Sequence, residues 1–361
     1  KEYRITISST LKRDEVWAAA GHEVAWDQLE LPWYKQPQPE NNFGGTLTFN
    51  ETEQSVIVVG KDFSYTFCKE SGALISIVLK GKELLKSPLK LNVWRAPLAN
   101  EVDGWNARNA HTANWKEGYG YQVATEFYSS GADKLAPLPM SVQAFEQAGN
   151  VYINIRDITV MGRITTSQRD LYIRGSVING FENLYSFTVF PDGGLTLKHT
   201  ILPQGQMPLW FPRIGLTMTL DKNLERVEWY GRGPQENYPD RKTGYKTGIY
   251  TAAVKDMYEP YLMPQDYGLR TDNRWLRMTD RNGAGLEFSM DQRFNFNVYP
   301  YSTDNLTKSV YTYQLQEQDG MTLNLDYATS GVGCTARSIL NAYRVMPQRY
   351  EREVKIRLLG L

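Results

Sequence analysis

Apolar and polar residues alternate with a period of two in several stretches of this chain. Tyr3, Ile5 and Ile7 alternate with Arg4, Thr6 and Ser8, Val151, Ile153 and Ile155 with Tyr152, Asn154 and Arg156, and Ile214, Leu216, Met218 and Leu220 form a third run. Successive side chains of a strand point to opposite faces, so this pattern predicts half-buried β-strands. Leu195, Leu197, His199 and Ile201 share one face opposite Thr196, Lys198 and Thr200. The Pro191-Asp192-Gly193-Gly194 run before them is hairpin-turn chemistry, so residues 186–202 read as a hairpin. Leu323 and Leu325, then Val354, Ile356 and Leu358, carry the alternation towards the C-terminus, and no long 3.6-residue period rivals it. The expectation is an all-β fold.

Proline and glycine mark the boundaries. Residues 33–45, with Pro37, Pro39, Gly44 and Gly45, have little periodicity and resist both helix and central strand. The expected organisation is therefore 1–33 as the end of a preceding domain, 34–46 as a linker and 47–361 as one large domain. Some thirty residues are too few for a domain of their own, which needs at least ~50. Ser129 to Lys134, continuing through Pro137 and Pro139, reads as a surface loop inside the large domain.

Charge narrows the function. Among 361 residues, 40 Lys+Arg balance 40 Asp+Glu. Affinity for nucleic acid or an anionic membrane comes largely from excess or clustered positive charge, so neither partner is expected. With 41% hydrophobic and 22% charged residues, the chain has a globular rather than a disordered composition. No apolar window approaches the ~18 residues of a membrane span. Lys1-Glu2-Tyr3-Arg4-Ile5 is neither a start methionine nor a signal peptide, so the N-terminus reads as cut from something longer. The compartment, cytoplasmic or periplasmic, stays open. Cys68 and Cys334 form no CxxC or Cys/His cluster and read as free thiols, with a single disulfide between them as the alternative that the sequence leaves open.

Familiar catalytic and phosphate-binding motifs are absent: no GxSxG, no GxxxxGK[ST], no HExxH, no EF-hand loop. The three histidines are His22, His111 and His199, and nothing in their spacing suggests a metal site. His199, on the inward face of its strand, reads as a hydrogen-bonded core residue rather than a catalytic one. Three polar constellations remain: Asn92 to Glu101, Gly231 to Arg241, and Pro264 to Trp275. Each mixes aromatic rings with guanidinium and amide groups. That chemistry suits sugars and also suits a protein interface. For the Gly231–Arg241 loop a second reading competes with a sugar-facing or interface role: its side chains satisfy its own backbone groups.

These three runs resemble the C-terminal part of family 2 β-galactosidases: Trp94-Arg95-Ala96-Pro97 with Asn100, Gly233-Pro234-Gln235-Glu236-Asn237-Tyr238-Pro239-Asp240-Arg241, and Pro264-Gln265 with Gly268, Arg270, Asp272, Arg274 and Trp275. Trp17 to Trp26, Phe294-Asn295-Phe296-Asn297, Leu325-Asp326-Tyr327 and Gly331-Val332-Gly333 extend the resemblance from about residue 3 to 360. It implies a large antiparallel β-supersandwich of the galactose-mutarotase-like type, preceded by terminal strands of an immunoglobulin-like sandwich.

The resemblance further implies part of a retaining enzyme that hydrolyses terminal non-reducing β-D-galactosides. In that family the two catalytic glutamates and the metal ligands belong to a (β/α)8 barrel that this chain does not resemble. No catalytic residue and no cofactor are therefore expected here. The expected partners are the barrel, a β-galactoside and further copies of the enzyme. Candidate sugar-binding or barrel-facing residues are Arg95, Asn100, Glu236, Asn237, Asp240, Arg241, Arg270, Asp272, Cys334 and Arg337. Two departures stand out: Ala99 occupies an acidic position of the family's loop, and Gly331 to Leu340 carries no tryptophan and is short. The alternatives are a stand-alone carbohydrate-binding module and, on fold analogy alone, a mutarotase-like epimerase using His199.

Overall fold

The computed structural model describes residues 2–33, 45–102, 123–162, 178–334 and 339–361. The chain divides into two compact units, 1–42 and 43–361. Of the expected linker, only Gly45 and Thr46 fall among the described residues.

In the first unit, β1 (Tyr3–Thr10) and β2 (Glu23–Leu31) form an antiparallel hairpin, with Tyr3 opposite Leu31 and Ile7 opposite Asp27. The alternation is present, yet its apolar face is not half-buried as expected: Ile5 and Ile7 are 47% and 56% exposed. A two-stranded hairpin has no second layer to cover that face.

The second unit begins with β3 (Thr48–Glu51), β4 (Ser55–Gly60), β5 (Phe63–Cys68), β6 (Ala73–Leu79), β7 (Lys82–Glu83) and β8 (Leu85–Asn92). Helix α1 (Val123–Ser130) leads to β9 (Leu135–Gln147), β10 (Asn150–Met161), β11 (Gly180–Val189), β12 (Leu195–Gln204), β13 (Arg213–Leu220), β14 (Arg226–Gly233) and β15 (Lys246–Ala253). After β16 (Arg270–Thr279) and β17 (Gly285–Tyr301) come the short helix α2 (Thr303–Lys308), β18 (Glu317–Thr329) and β19 (Tyr350–Leu359). All ladders among the described residues are antiparallel.

The ladder runs β3–β4–β5–β6–β8–β13–β18–β17. At the 17-residue β17 it divides. One edge of β17 pairs with β16, which leads to β14 and β15. The other edge pairs with β19 over Gly285–Met290 and with β18 over Asn295–Tyr301. From β19 the pairing continues to β12, β11, β10 and β9. The two arms close face to face: the Phe67 and Phe187 rings meet edge-on at 5.0 Å, and the Tyr65 hydroxyl donates to the Gly193 carbonyl at 2.6 Å. Between them lies one apolar core that takes Val56, Leu74, Ile153, Leu197, Ile214, Leu216, Leu325 and Ile356 out of water. This is the large antiparallel all-β architecture expected from the sequence.

One local expectation is corrected. Residues 129–139 are not a loop throughout, since Ser129 and Ser130 end α1 and Pro137 and Pro139 lie within β9. Proline is tolerated there because, among the described residues, β9 pairs on one side only, and a register shift in β10 between Arg156 and Asp157 falls next to Pro139.

Candidate functional site

Register brings the polar runs together. Asn92 at the end of β8 pairs with Gly215 near the start of β13, and Arg213 pairs with Thr329 at the end of β18. Asp326 faces Asn295 of β17, and Phe296 faces Arg270 at the start of β16, itself beside the end of β14. The segments following β8, β14 and β18 and the one preceding β16 therefore emerge at the same end of the sheet.

Arg95 is fully buried and ties two of these segments. Its Nη2 donates to Glu101 Oε1 at 2.6 Å and to the Gly331 carbonyl at 3.0 Å, while Nη1 donates to the Ser330 carbonyl at 3.0 Å. Glu101 Oε2 in turn accepts from the Leu98 amide. Asn100 Nδ2 donates to the Val332 carbonyl at 3.0 Å, and Gln265 Oε1 accepts from the Ala99 amide at 2.8 Å. Asp240 accepts from the amides of both Val332 and Gly333, at 3.0 and 2.8 Å. Residue 331 must be glycine for this approach, because a Cβ there would lie 2.4–2.6 Å from the Asp240 carboxylate.

The Gly231–Arg241 loop braces its neighbour. Glu236 Oε2 accepts from the Gly268 amide at 2.9 Å, and its Oε1 accepts from Arg241 Nη2 at 2.6 Å and from the Tyr261 hydroxyl. Asn237 Oδ1 accepts from the Thr271 amide and hydroxyl. Arg270 donates to the Gly268 carbonyl and lies over the Trp229 ring, with burial pulling its pKa down to about 10. Asp272 sits in the left-handed region at φ 57°, its carboxylate held by Arg232 at 2.7 Å and Lys242 at 2.9 Å. Burial pushes that carboxyl up, but these two cations outweigh it and leave it below the ordinary range. The side chains of Glu236 and Asn237 thus satisfy backbone groups of the adjacent 268–271 segment more than those of their own loop. Cys334 is exposed with a free thiol, and Arg337 lies outside the described residues.

Between these segments is a cavity of about 210 Å³ lined by Leu98, Ala99, Asn100, Tyr238, Arg241, Tyr261, Gln265, Val332 and Gly333. Of the sequence-stated candidates, Asn100 and Arg241 reach it. Glu236 and Asp240 hold its walls from behind. Tyr238, Tyr261 and Gln265 were not among the candidates, although Tyr238 and Gln265 stand in the quoted runs.

Beneath the loops lies a buried charge cluster that sequence alone did not flag. Arg213 donates to Asp266 at 2.7 Å and stands 3.7 Å from Asp326, all three with no side-chain exposure. Burial raises the Asp326 carboxyl to about 6 despite Arg213. These two acids are sealed from any glycosidic oxygen, which a general acid has to reach.

His199 is a core residue, as read from its strand face. Its Nδ1 lies 2.8 Å from the Tyr327 hydroxyl and its Nε2 3.3 Å from Asn183 Oδ1. Asn183 Nδ2 donates to Asp157 and Thr159, which assigns its oxygen to the histidine, so Nε2 carries the proton and Nδ1 accepts from Tyr327. Neither nitrogen is left for a sugar, which argues against the epimerase reading. His22 lies in the first unit, and His111 is outside the described residues. Among the described residues, no three of His, Cys, Asp or Glu gather as a metal-holding group, and no helix is long and apolar enough to cross a membrane.

A family model described as beta galactosidase small chain matches residues 59–356, and one described as beta-galactosidase, domain 4 matches residues 1–32. The chain belongs to the beta galactosidase small chain family. A β-galactosidase of Priestia megaterium is 29% identical over 333 residues, covering 92% of this chain and 29% of that protein. One from Vibrio cholerae is 26% identical over 362 residues, covering 99% and 32%. The chain thus spans about a third of the length of these curated relatives. A galactose 1-epimerase from Lactobacillus acidophilus overlaps 89% of this chain and all of its own, with a TM-score of 0.42 and 8% identity, too loose an overlap to bear on activity.

Proposed function

We propose that this chain serves as the non-catalytic β-domain region of a β-galactosidase that hydrolyses terminal non-reducing β-D-galactosides with retention. Its loops at 95–101, 236–241, 261–268 and 330–334 would face the catalytic barrel and complete the surroundings of its sugar site. The observation that carries this reading is the family match over 59–356, which spans every one of those loops. Two features support it. Leu209, Tyr343 and Met346 expose apolar surface within two residues of the Phe211–Val345 bridge, and the Tyr343 carbonyl accepts from the Gly331 amide. The uncovered apolar face of the β1–β2 hairpin is what a strand pair from a larger sandwich would present.

Hydrolysis of a chromogenic β-galactoside by the purified chain, alone and after mixing with a barrel-containing fragment of the same enzyme, tests the proposal. Activity only in the mixture is expected. Activity of the chain alone would mean that it holds a working acid pair, and silence in both would remove the complementation reading.

A further inference from the structure

Beneath the loops, four buried side-chain atoms have no hydrogen-bond partner: Arg95 Nε, Arg213 Nε, the Tyr238 hydroxyl and Asp326 Oδ1. Their residues are sealed, with Arg95 and Tyr238 each 1% exposed and Arg213 and Asp326 not at all. A buried polar atom left unpaired costs free energy, so folded proteins hold few of them and each calls for an explanation.

The four belong to one cluster. Asp266 joins the two arginines: its carboxylate accepts from Arg213 at 2.7 Å, and its amide donates to the carbonyl of Ala96, next to Arg95, at 3.1 Å. Ser330 joins them a second time, its carbonyl accepting from Arg95 and its amide donating to the carbonyl of Pro212, next to Arg213. Asp326 Oδ2 stands 3.7 Å from Arg213 Nε, too far for a direct hydrogen bond. Burial works against the charge of both guanidiniums, yet both are held in the charged form more firmly than usual, Arg95 by Glu101 and Asp266 and Arg213 by Asp266 and Asp326. Tyr238 lies within electrostatic reach of both arginines.

The unpaired atoms are two N–H donors, a carboxylate oxygen and a hydroxyl that can donate or accept. Water, with two protons and two lone pairs, complements that set, and a buried water typically makes about three such bonds. Charge selects it over an ion. Two guanidiniums repel a cation. With Glu101, Asp266 and Asp326 ionised beside Arg95 and Arg213, the cluster already carries one excess negative charge, which disfavours an anion.

We propose that one internal water, bonded to at least three of Arg95 Nε, Arg213 Nε, the Tyr238 hydroxyl and Asp326 Oδ1, is a fixed part of this fold and ties the 95–101, 236–241 and 326–330 segments together from beneath. The site follows from the cluster alone and does not depend on the enzyme to which the chain is assigned.

Tyr238→Phe reads the state of the hydroxyl in solution, because it keeps the ring and deletes one polar atom. Loss of a hydroxyl that bonds water lowers stability, whereas loss of a buried hydroxyl with no partner is neutral or raises it. The urea midpoint at neutral pH is expected to fall below that of the wild type; an equal or higher midpoint would overturn the proposal. A high-resolution crystal structure of the wild-type chain, grown with sodium bromide, identifies the partner. One water within hydrogen-bonding distance of at least three of the four atoms, with no anomalous bromide signal there, is the expected result. Asp326 turned directly onto Arg213 Nε with no water among the four atoms would overturn the proposal, and a bromide peak would make the site one for an anion instead.

Discussion

Buried titratable groups dominate at the residue scale, and two of them oppose each other. Burial lowers the His199 imidazole to about 3, so the unfolded chain holds that proton more tightly than the fold does. Stability present above pH ~6.5 is then lost as pH falls, at up to ~1.4 kcal/mol per pH unit for one proton. Burial raises Asp326 to about 6, so its contribution is fully present below pH ~4 and lost as pH rises through 6. Between about pH 4 and 6 the two largely cancel. Urea unfolding at pH 4.5, 5.5 and 6.5 should separate them: relative to wild type, His199→Gln gains stability on acidification and Asp326→Asn loses it. Profiles parallel to wild type would remove the burial argument. The inward face of His199 was legible from Leu195, Leu197 and Ile201. Its stacking on Tyr185 at 4.2 Å was not, because that ring arrives from the neighbouring strand.

Among the elements, strands were legible wherever alternation was clean. The Pro191–Gly194 turn joins β11 and β12, with the Phe190 amide donating to the Gly194 carbonyl, and the hairpin is longer than residues 186–202 only because its arms run on to Gly180 and Gln204. Strand β9 was missed because its prolines read as breakers; pairing on one side only among the described residues, and the register shift beside Pro139, make them acceptable there. The loops behave as elements too. Asp240 holds the 331–334 segment by two backbone amides, so Asp240→Ala should cost about 1–3 kcal/mol and raise hydrogen exchange at Val332 and Gly333 above that of the β18 amides. Unchanged exchange at those two amides would mean that the loop is held by Arg95 and Asn100 instead.

For the second unit as a whole, the decisive feature is that both arms of the branched ladder close over one core. Phe187 sits where they meet, 2% exposed against Phe67. Phe187→Ala should cost about 3–5 kcal/mol. Because the core is shared, far-UV and near-UV circular dichroism should still report one coincident transition for this unit. Two separated transitions would show the arms to be independent.

Strand alternation and turn residues act within a few neighbours along the chain, and so the sequence alone determined the all-β class and most inward faces. The runs at 92–101, 231–241 and 264–275 were also visible, as clusters of residue types. What tertiary structure decided is which atoms of those runs are consumed and which remain open. Arg95 reaches Ser330 and Gly331, Asp240 reaches Val332 and Gly333, and Gln265 reaches Ala99 only after β8, β13, β18, β17, β16 and β14 have taken their register. Hydrogen bonds between residues so far apart in sequence leave no periodicity in either segment. The split between bracing and open groups therefore exists only in the folded chain.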